Sequence, residues 1–471
     1  MMDKRGGTFQ RPLVMILFLA SLLLPYMLYY SNRNIITAVI PYLVDQNVLT
    51  QNTFVWMQTC SYGTMILAKF GMGLLLTAIT HNLFHRTALF GGAISLVSLS
   101  LVIISVCTML GVRDQSLACV FVICFATIKL LSSVIRPLLL SIIHAAISDR
   151  MYGLPADDSV HAKRFLGWMS SILQCLSCIG DVIGKVTFAG LITDNRFLQW
   201  AQRCKQPSWT LAFITLGSMS LLSAFTPVIG LTSFIRKTDN RDIENKHRRT
   251  TIETNWRTLI KSLFSNTRLL LLLACNTLSG FCSVASGSYA VHFYRFALGF
   301  DSIYVTRLDS ISPICIAAGI MTLTFIIQRF MPTARKLIFL LAIVAVVDAI
   351  LLYVLKSVLN DRSISSLADH TTSIITMFIL HQVLYFSYAA ILDGLAVTYL
   401  LPNAYIAPTT GIVSSFSYLG GFTAPFVLYR WVSSLEGWRI IFGVVSWLLL
   451  ANVSLLTLIS IILYNRRIIT H

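Results

Sequence analysis

Within the first long apolar stretch, Tyr26, Tyr30 and Arg33 recur at i, i+4 and i+7, the spacing that puts side chains on one stripe of an α-helix. The segment reads Tyr26-Met27-Leu28-Tyr29-Tyr30-Ser31-Asn32-Arg33-Asn34, with apolar residues 14–20 before it and 35–40 after it, up to Pro41. An arginine flanked by apolar turns on both sides sits too deep to reach either membrane face. A charge there costs at least about 2.5–3.5 kcal/mol on insertion scales, so it must face a watery cavity or a partner. Two phenols and a guanidinium on one stripe can hold an anion at mid-membrane. A guanidinium that pairs with a carboxylate and pins helix packing is the alternative left open by this stretch alone.

Other groups capable of chemistry are sparse. The carboxylates within apolar runs are Asp181, Asp309, Asp348 and Asp393. Asp181 and Lys185, at i and i+4, read as a local pair, and Asp309 stands near Arg307. Asp393, followed by Gly394 with His381 three turns earlier, is the candidate for proton coupling. His144 and His292 read as interfacial. The ten cysteines fall mostly in apolar runs; Cys175 and Cys178 form a C-x-x-C, but amid Leu and Ile, which favours packing over a redox or metal role. Motifs such as H-E-x-x-H, G-x-S-x-G and the P-loop are absent, and the carboxylates do not pair at catalytic spacing, so no enzyme, metal site or cofactor is expected.

The elements that position these residues are long apolar helices. Of 471 residues, 56% are apolar and only 12% charged, half the charged share a soluble domain carries. Runs of about 20 apolar residues, each enough to cross a ~30 Å hydrocarbon layer, recur along the whole chain. Twelve spans are expected, near 13–41, 53–80, 87–110, 116–147, 165–193, 209–235, 267–295, 304–328, 336–356, 373–400, 408–431 and 438–464. The first follows a basic N-terminus but lacks a small-residue cleavage site, so it is expected to be retained.

A single long polar stretch divides the chain into an N-terminal six-helix half (1–235), a basic linker (236–266) and a C-terminal six-helix half (267–471). The net charge of +17 comes from 36 Lys and Arg against 19 Asp and Glu, gathered in loops on one side, which argues against nucleic acid as a partner. By that Lys/Arg asymmetry both termini and the linker are cytoplasmic. Two six-span halves joined by a cytoplasmic linker is the plan of alternating-access carriers, with the site between the halves near the midplane.

Several segments carry a resemblance. Tyr29-Tyr30-Ser31-Asn32-Arg33-Asn34 and Ile40-Pro41-Tyr42-Leu43-Val44-Asp45-Gln46 are similar to Y-Y-x-x-R-x-N and P-Y-L-V-E-Q. Tyr62-Gly63 with Ala68-Lys69-Phe70-Gly71-Met72-Gly73 is similar to Y-G-x-x-K-F-x-x-G; Thr410-Gly411, Ser417-Tyr418-Leu419-Gly420-Gly421 and Gly437-Trp438 are similar to T-A-A-G, G-Y-L-G-G and F-G-W-D. With these the chain resembles the major facilitator superfamily, and within it the organophosphate:phosphate antiporters of glycerol phosphates and hexose phosphates.

The resemblance implies an all-α membrane protein with twelve transmembrane helices in two halves, exchanging a phosphorylated metabolite for inorganic phosphate. It implies that Arg33 is the first-half arginine, Lys69 the second-span lysine, and Tyr26, Tyr30 and Tyr418 phenols lining the cavity. Arginine suits phosphate because its planar fork donates two parallel charge-assisted hydrogen bonds.

The chain also departs from that pattern. Ser283 stands where the family keeps a second arginine, and Ser177 near its fifth-span histidine. The loop after the second span lacks its acidic residue and keeps only Arg86 of its basic end; the second-half counterpart shows Gln328-Arg329. A clamp of two guanidiniums is therefore not available from the matched positions. Arg136, just before Pro137, and Lys129, two turns earlier, are the substitutes, with Arg136 expected toward the cavity.

The expectation is a monomeric, multi-pass secondary carrier in a lipid bilayer for a small organic anion, with phosphate as counter-substrate. One alternative is a proton-coupled or facilitative carrier of a carboxylate, amino acid or other monoanion. The other is a transport-inactive receptor or scaffold.

Overall fold

The computed structural model describes the backbone of residues 7–79, 83–151, 160–236, 265–330, 333–360, 364–400 and 406–469. Residues 237–264 of the linker lie outside these residues, and so do the side chains of Asp393 and His144.

The first group of helices is α1 (Gly7–Asp45), α2 (Gln51–Ile79), α3 (Leu83–Met109), α4 (Asp114–Met151), α5 (Val160–Thr193), the short α6 (Asn195–Arg203), α7 (Ser208–Ser223) and α8 (Thr226–Arg236). The second is α9 (Thr267–Ser283), α10 (Ser302–Asp309), α11 (Ile311–Phe330), α12 (Ala334–Asn360), α13 (Ile364–Leu400), α14 (Ile406–Leu428) and α15 (Leu435–Ile469). Ten spans among the described residues are long and apolar enough to cross a membrane, counting α7–α8 and α10–α11 as one each. The two remaining long helices, α1 and α2, bring the number to twelve; α1 carries the polar Tyr26–Asn34 segment, which lowers its hydropathy. Large side chains such as Phe339, Tyr353 and Trp447 stand exposed on the outside, as a lipid-facing surface requires.

Proline accounts for two of the breaks. Pro227 cannot donate to the carbonyl of Ser223, and the chain turns there between α7 and α8. Pro313 likewise leaves the carbonyl of Asp309 without its helical donor, and α10 ends at that residue. Lys185 Nζ takes up that carbonyl at 3.3 Å, from the other group of helices.

The seventh span departs from the continuous helix expected over 267–295. After α9 it widens into a π-turn at Val284–Ser288, makes a single α-turn at Ala290–His292, and widens again at Phe293–Ala297. The weak helix formers Ser286-Gly287-Ser288 sit in the first wide turn. A Cβ at Gly287 would stand 2.8 Å from the Phe386 ring, which would have to shift to admit it.

Each group packs chiefly on itself, and the two meet along two seams, α2 against α14 and α5 against α11. The helices alternate in direction, so α1 runs from what we term the proximal end of the bundle to the distal end. Among the described residues, Ser171 and Thr324 join the groups at 2.8 Å towards the proximal end, and several contacts join them distally. Arg295 meets Asp45 at 3.2 Å, Arg307 donates to Thr193 Oγ1 at 3.1 Å, and Tyr429 donates to Asn52. Phe54 of α2 stacks on His292 with ring centroids 4.9 Å apart and meets Tyr289 edge-on at 5.4 Å. His292 is thus buried between the halves rather than interfacial.

Candidate functional site

Tyr26, Tyr29 and Tyr30 form an aromatic cluster on α1, with centroid separations of 4.9–6.1 Å. The Arg33 guanidinium sits 4.9 Å from the centroid of the Tyr30 ring, a cation–π distance. Tyr26 Oη reaches Tyr30 Oη at 3.5 Å. The helical stripe read from the spacing is therefore a physical one.

What holds the stripe in place is α5. Gly180 and Gly184, four residues apart, lie against the α1 backbone from Met27 to Ser31. A Cβ at Gly184 would stand 2.7 Å from the Ser31 carbonyl oxygen, and one at Gly180 would collide with that of Met27. Small residues at this spacing let two membrane helices touch backbone to backbone. Ser31 Oγ then donates to the Gly180 carbonyl at 2.9 Å. The Gly180-x-x-x-Gly184 pattern is visible in the sequence; which helix it packs on is not.

Arg33 is half-buried, its Nε is buried without a hydrogen-bond partner, and no carboxylate among the described residues pairs with it. Its electrostatic neighbours are Tyr26, Tyr29 and Tyr30 of α1 and Tyr418 of α14; it also acts on Tyr62 of α2 and Lys129 of α4. The guanidinium therefore lies where α1, α2, α4 and α14 converge, between the two groups of helices. Tyr62 ties those groups together, 6.2 Å ring to ring from Tyr418 and with Oη 3.4 Å from Ser288 Oγ.

Two further cations share this side. Lys129 packs its ammonium 5.0 Å from the Phe125 ring centroid and also feels Asp181. Arg136 donates to Gln174 Oε1 at 2.8 Å and to Ser170 Oγ at 3.0 Å, and acts on Tyr26. Its described hydrogen-bond partners are neutral, and no carboxylate pairs with it among the described residues. Lys69 is half-buried two turns along α2 from Tyr62, on the same stripe. Ser283, at the end of α9, is half-buried just before the first π-turn.

Two charged clusters depart from the pairings expected from sequence. Lys185 does meet Asp181, at 2.8 Å, but it also meets Asp309 of α10 at 2.5 Å, so the local pair is one arm of a buried bridge between the halves. Asp309 is taken by that lysine and not by Arg307. His381 pairs through Nδ1 with Asp348 of α12 at 2.7 Å, and through Nε2 with Ser286 at 2.7 Å. Asp393, its expected companion, lies on α13 with its side chain outside the described residues. What sequence reasoning missed were the pairings Lys185–Asp309, His381–Asp348 and His381–Ser286, whose partners stand far off in sequence, and with them the residue Ser286.

Comparison with known proteins agrees with this arrangement at the level of the fold. The sequence model of the Major Facilitator Superfamily matches residues 22–425. No curated protein matches the sequence. A bacterial homologue of the human lysosomal transporter Spinster, inward-facing and occupied, superposes with a TM-score of 0.64 at 12% identity, covering 97% of each chain. The nucleoside transporter NupG gives 0.61 at 14% identity over 93% of this chain and 98% of its own. A bacterial homologue of the iron transporter ferroportin, outward-facing with soaked iron, gives 0.61 at 13% over 94% and 98%. At such identities these structures speak for the fold alone. Matched by one family's sequence model over most of its length, and superposing on its helical carriers almost end to end, the chain belongs to the Major Facilitator Superfamily.

Proposed function

We propose that the chain is an alternating-access secondary carrier of a small organic anion, a phosphorylated metabolite exchanged for inorganic phosphate, working as a monomer with both termini cytoplasmic. The observation that carries this reading is Arg33, a guanidinium between the halves, walled by phenols and without a carboxylate partner among the described residues. A charge kept so deep without an acid calls for an anion to compensate it. Lys69, Lys129 and Arg136 add positive charge from the same half, and Tyr26, Tyr30 and Tyr418 supply walls and donors.

Rocking of the halves would pass the anion from one side to the other. The distal contacts, Arg295–Asp45 and Phe54–His292 among them, are the ones that must break for that end to open.

A second reading rests on Ser283. With serine there, the second half places no described cation against Arg33, which favours a monoanion such as a carboxylate over a dianionic phosphate. Counterflow in proteoliposomes tests both. Release of a loaded sugar phosphate driven by external phosphate, and lost in Arg33→Ala, supports the first. Phosphate that neither drives release nor competes overturns it, and uptake of a carboxylate under the same conditions supports the second.

A further inference from the structure

We propose that Asp348, His381 and Ser286 form a proton-binding site whose occupancy sets the shape of the first π-turn and, through it, the closure of the distal end. The proposal rests on the carrier reading only in that it assumes the distal end opens and closes.

The three side chains make one chain of hydrogen bonds, Asp348 Oδ1 to His381 Nδ1 and His381 Nε2 to Ser286 Oγ, both 2.7 Å. All are sealed from solvent, at 1%, 1% and 2% exposure. His381 is the one ionic partner Asp348 has among the described residues, and Asp348 Oδ2 is buried without a hydrogen bond.

Described groups face the pair from several packed elements. From α9 comes the Cys282 thiol, within electrostatic reach of Asp348. From α13 come the Tyr385 ring, 6.0 Å from His381 and bonded to Ser279, and the Phe378 ring at 6.0 Å. From α15 comes Ser446, which donates to the neighbouring Ala349 carbonyl. Lys356, two turns distal on α12, lies against Gly443. Among the described residues, none of these brings a further cation into contact with the carboxylate.

A lone carboxylate in so dry a place is costly, and a proton on the pair makes it neutral overall. With the proton absent, His381 Nδ1–H donates to Asp348 and Nε2 accepts from the Ser286 hydroxyl. With it present, Nε2–H donates to Ser286 Oγ, and the hydroxyl hydrogen must find another acceptor. Ser286 therefore changes from donor to acceptor as the proton arrives.

Ser286 lies in the π-turn Val284–Ser288, and Gln382 Nε2 holds its carbonyl at 2.7 Å. A π-turn can revert to α-geometry, and such turns recur at functional sites. Just beyond it, Ser288 meets Tyr62, and Tyr289 and His292 meet Phe54, all across the halves. In the distally closed state the dry pair favours its proton; loss of the proton favours opening, which brings water to the carboxylate. Raising the pH is therefore expected to open the distal end.

The test uses the full-length protein in nanodiscs without substrate. Infrared difference spectra between pH 5 and 9 should show a carboxyl or imidazole signal that D348N removes. Hydrogen exchange of the segment from Val284 to Leu298, corrected for intrinsic rates, should lose protection roughly tenfold or more over that range in the parent protein, and by at most about tenfold per pH unit, the limit for a one-proton linkage. It should stay flat in D348N and H381Q. S286A should keep the infrared titration and lose the exchange response, which separates proton binding from its transmission and serves if D348N fails to fold. A pH response in D348N or H381Q equal to the parent's, or none in the parent, overturns the proposal. Neither measurement needs flux, so absence of transport would count against the carrier reading and leave this result standing.

Discussion

The two halves treat buried charge in opposite ways. Around the centre the first half presents Arg33, Lys129 and Arg136, cations that rest on phenols, a phenyl ring, an amide and a hydroxyl. The second half presents Asp348 and Asp309, each already held by a nitrogen, His381 in one case and Lys185 in the other. The first set meets no carboxylate at contact range among the described residues; the second is held by nitrogens within the protein. Under the proposed function, the first half would supply the positive charge for an anion and the second the groups that respond to a proton.

The Lys185 bridge offers the largest perturbation of that contrast. Lys185→Met leaves Asp181 and Asp309 facing each other in a buried site, so a loss of stability of about 3–5 kcal/mol is expected, the cost of orphaning a buried charge. Asp309→Asn leaves a neutral Lys185–Asp181 pair, and a loss below about 1 kcal/mol is expected. Thermal unfolding in detergent checks both. Equal losses would show that the carboxylate of α10 does more than balance the lysine.

Arg33→Ala comes next. Removing a charge-assisted contact of about 1.5–3 kcal/mol should cut the apparent affinity for the anion roughly 10- to 150-fold with little effect on folding, because no acid among the described residues is left unpaired. Uptake titrations alongside thermal unfolding measure the two quantities separately. A large drop in stability would instead mark Arg33 as a structural residue and erase the difference between the halves.

Gly184→Ala is expected to cost about 1–3 kcal/mol, the usual penalty for forcing extra bulk into a packed contact, because the added methyl meets the Ser31 carbonyl oxygen at 2.7 Å. Since that contact backs the stripe, affinity should fall with stability, and the ratio of the two losses separates it from Arg33→Ala.

Much of this was open to inspection before any coordinates. The Tyr–Arg stripe repeats at helical spacing within one helix, so periodicity alone places it, and unbroken apolar runs place most of the spans. Lys185 with Asp309 and His381 with Asp348 were not, since their pairing depends on how separate helices pack. Nor was the widened seventh span, because a π-turn disturbs the hydrophobic period by only one residue. Gly180 and Gly184 lie between these cases: the spacing announces a close helix contact, and only the fold says that the contact is with the stripe.

The smallest expected effects come from Lys129→Gln and Arg136→Gln, and they sharpen the contrast most finely. Arg136 is bound by Gln174 and Ser170, so it cannot move onto an anion without giving up those bonds. It acts chiefly as a fixed positive charge at a distance. Lys129 carries a flexible ammonium against a ring and can swing. Loss of either charge should weaken apparent affinity by roughly three- to tenfold, about 0.5–1.5 kcal/mol. Both side chains are half-buried, so the two differ in reach rather than in screening. Uptake titrations are thus expected to show the larger deficit for Lys129→Gln, whose ammonium can move onto the anion. The reverse order would place the mobile cation at Arg136 and require its bonds to α5 to open during the transport cycle.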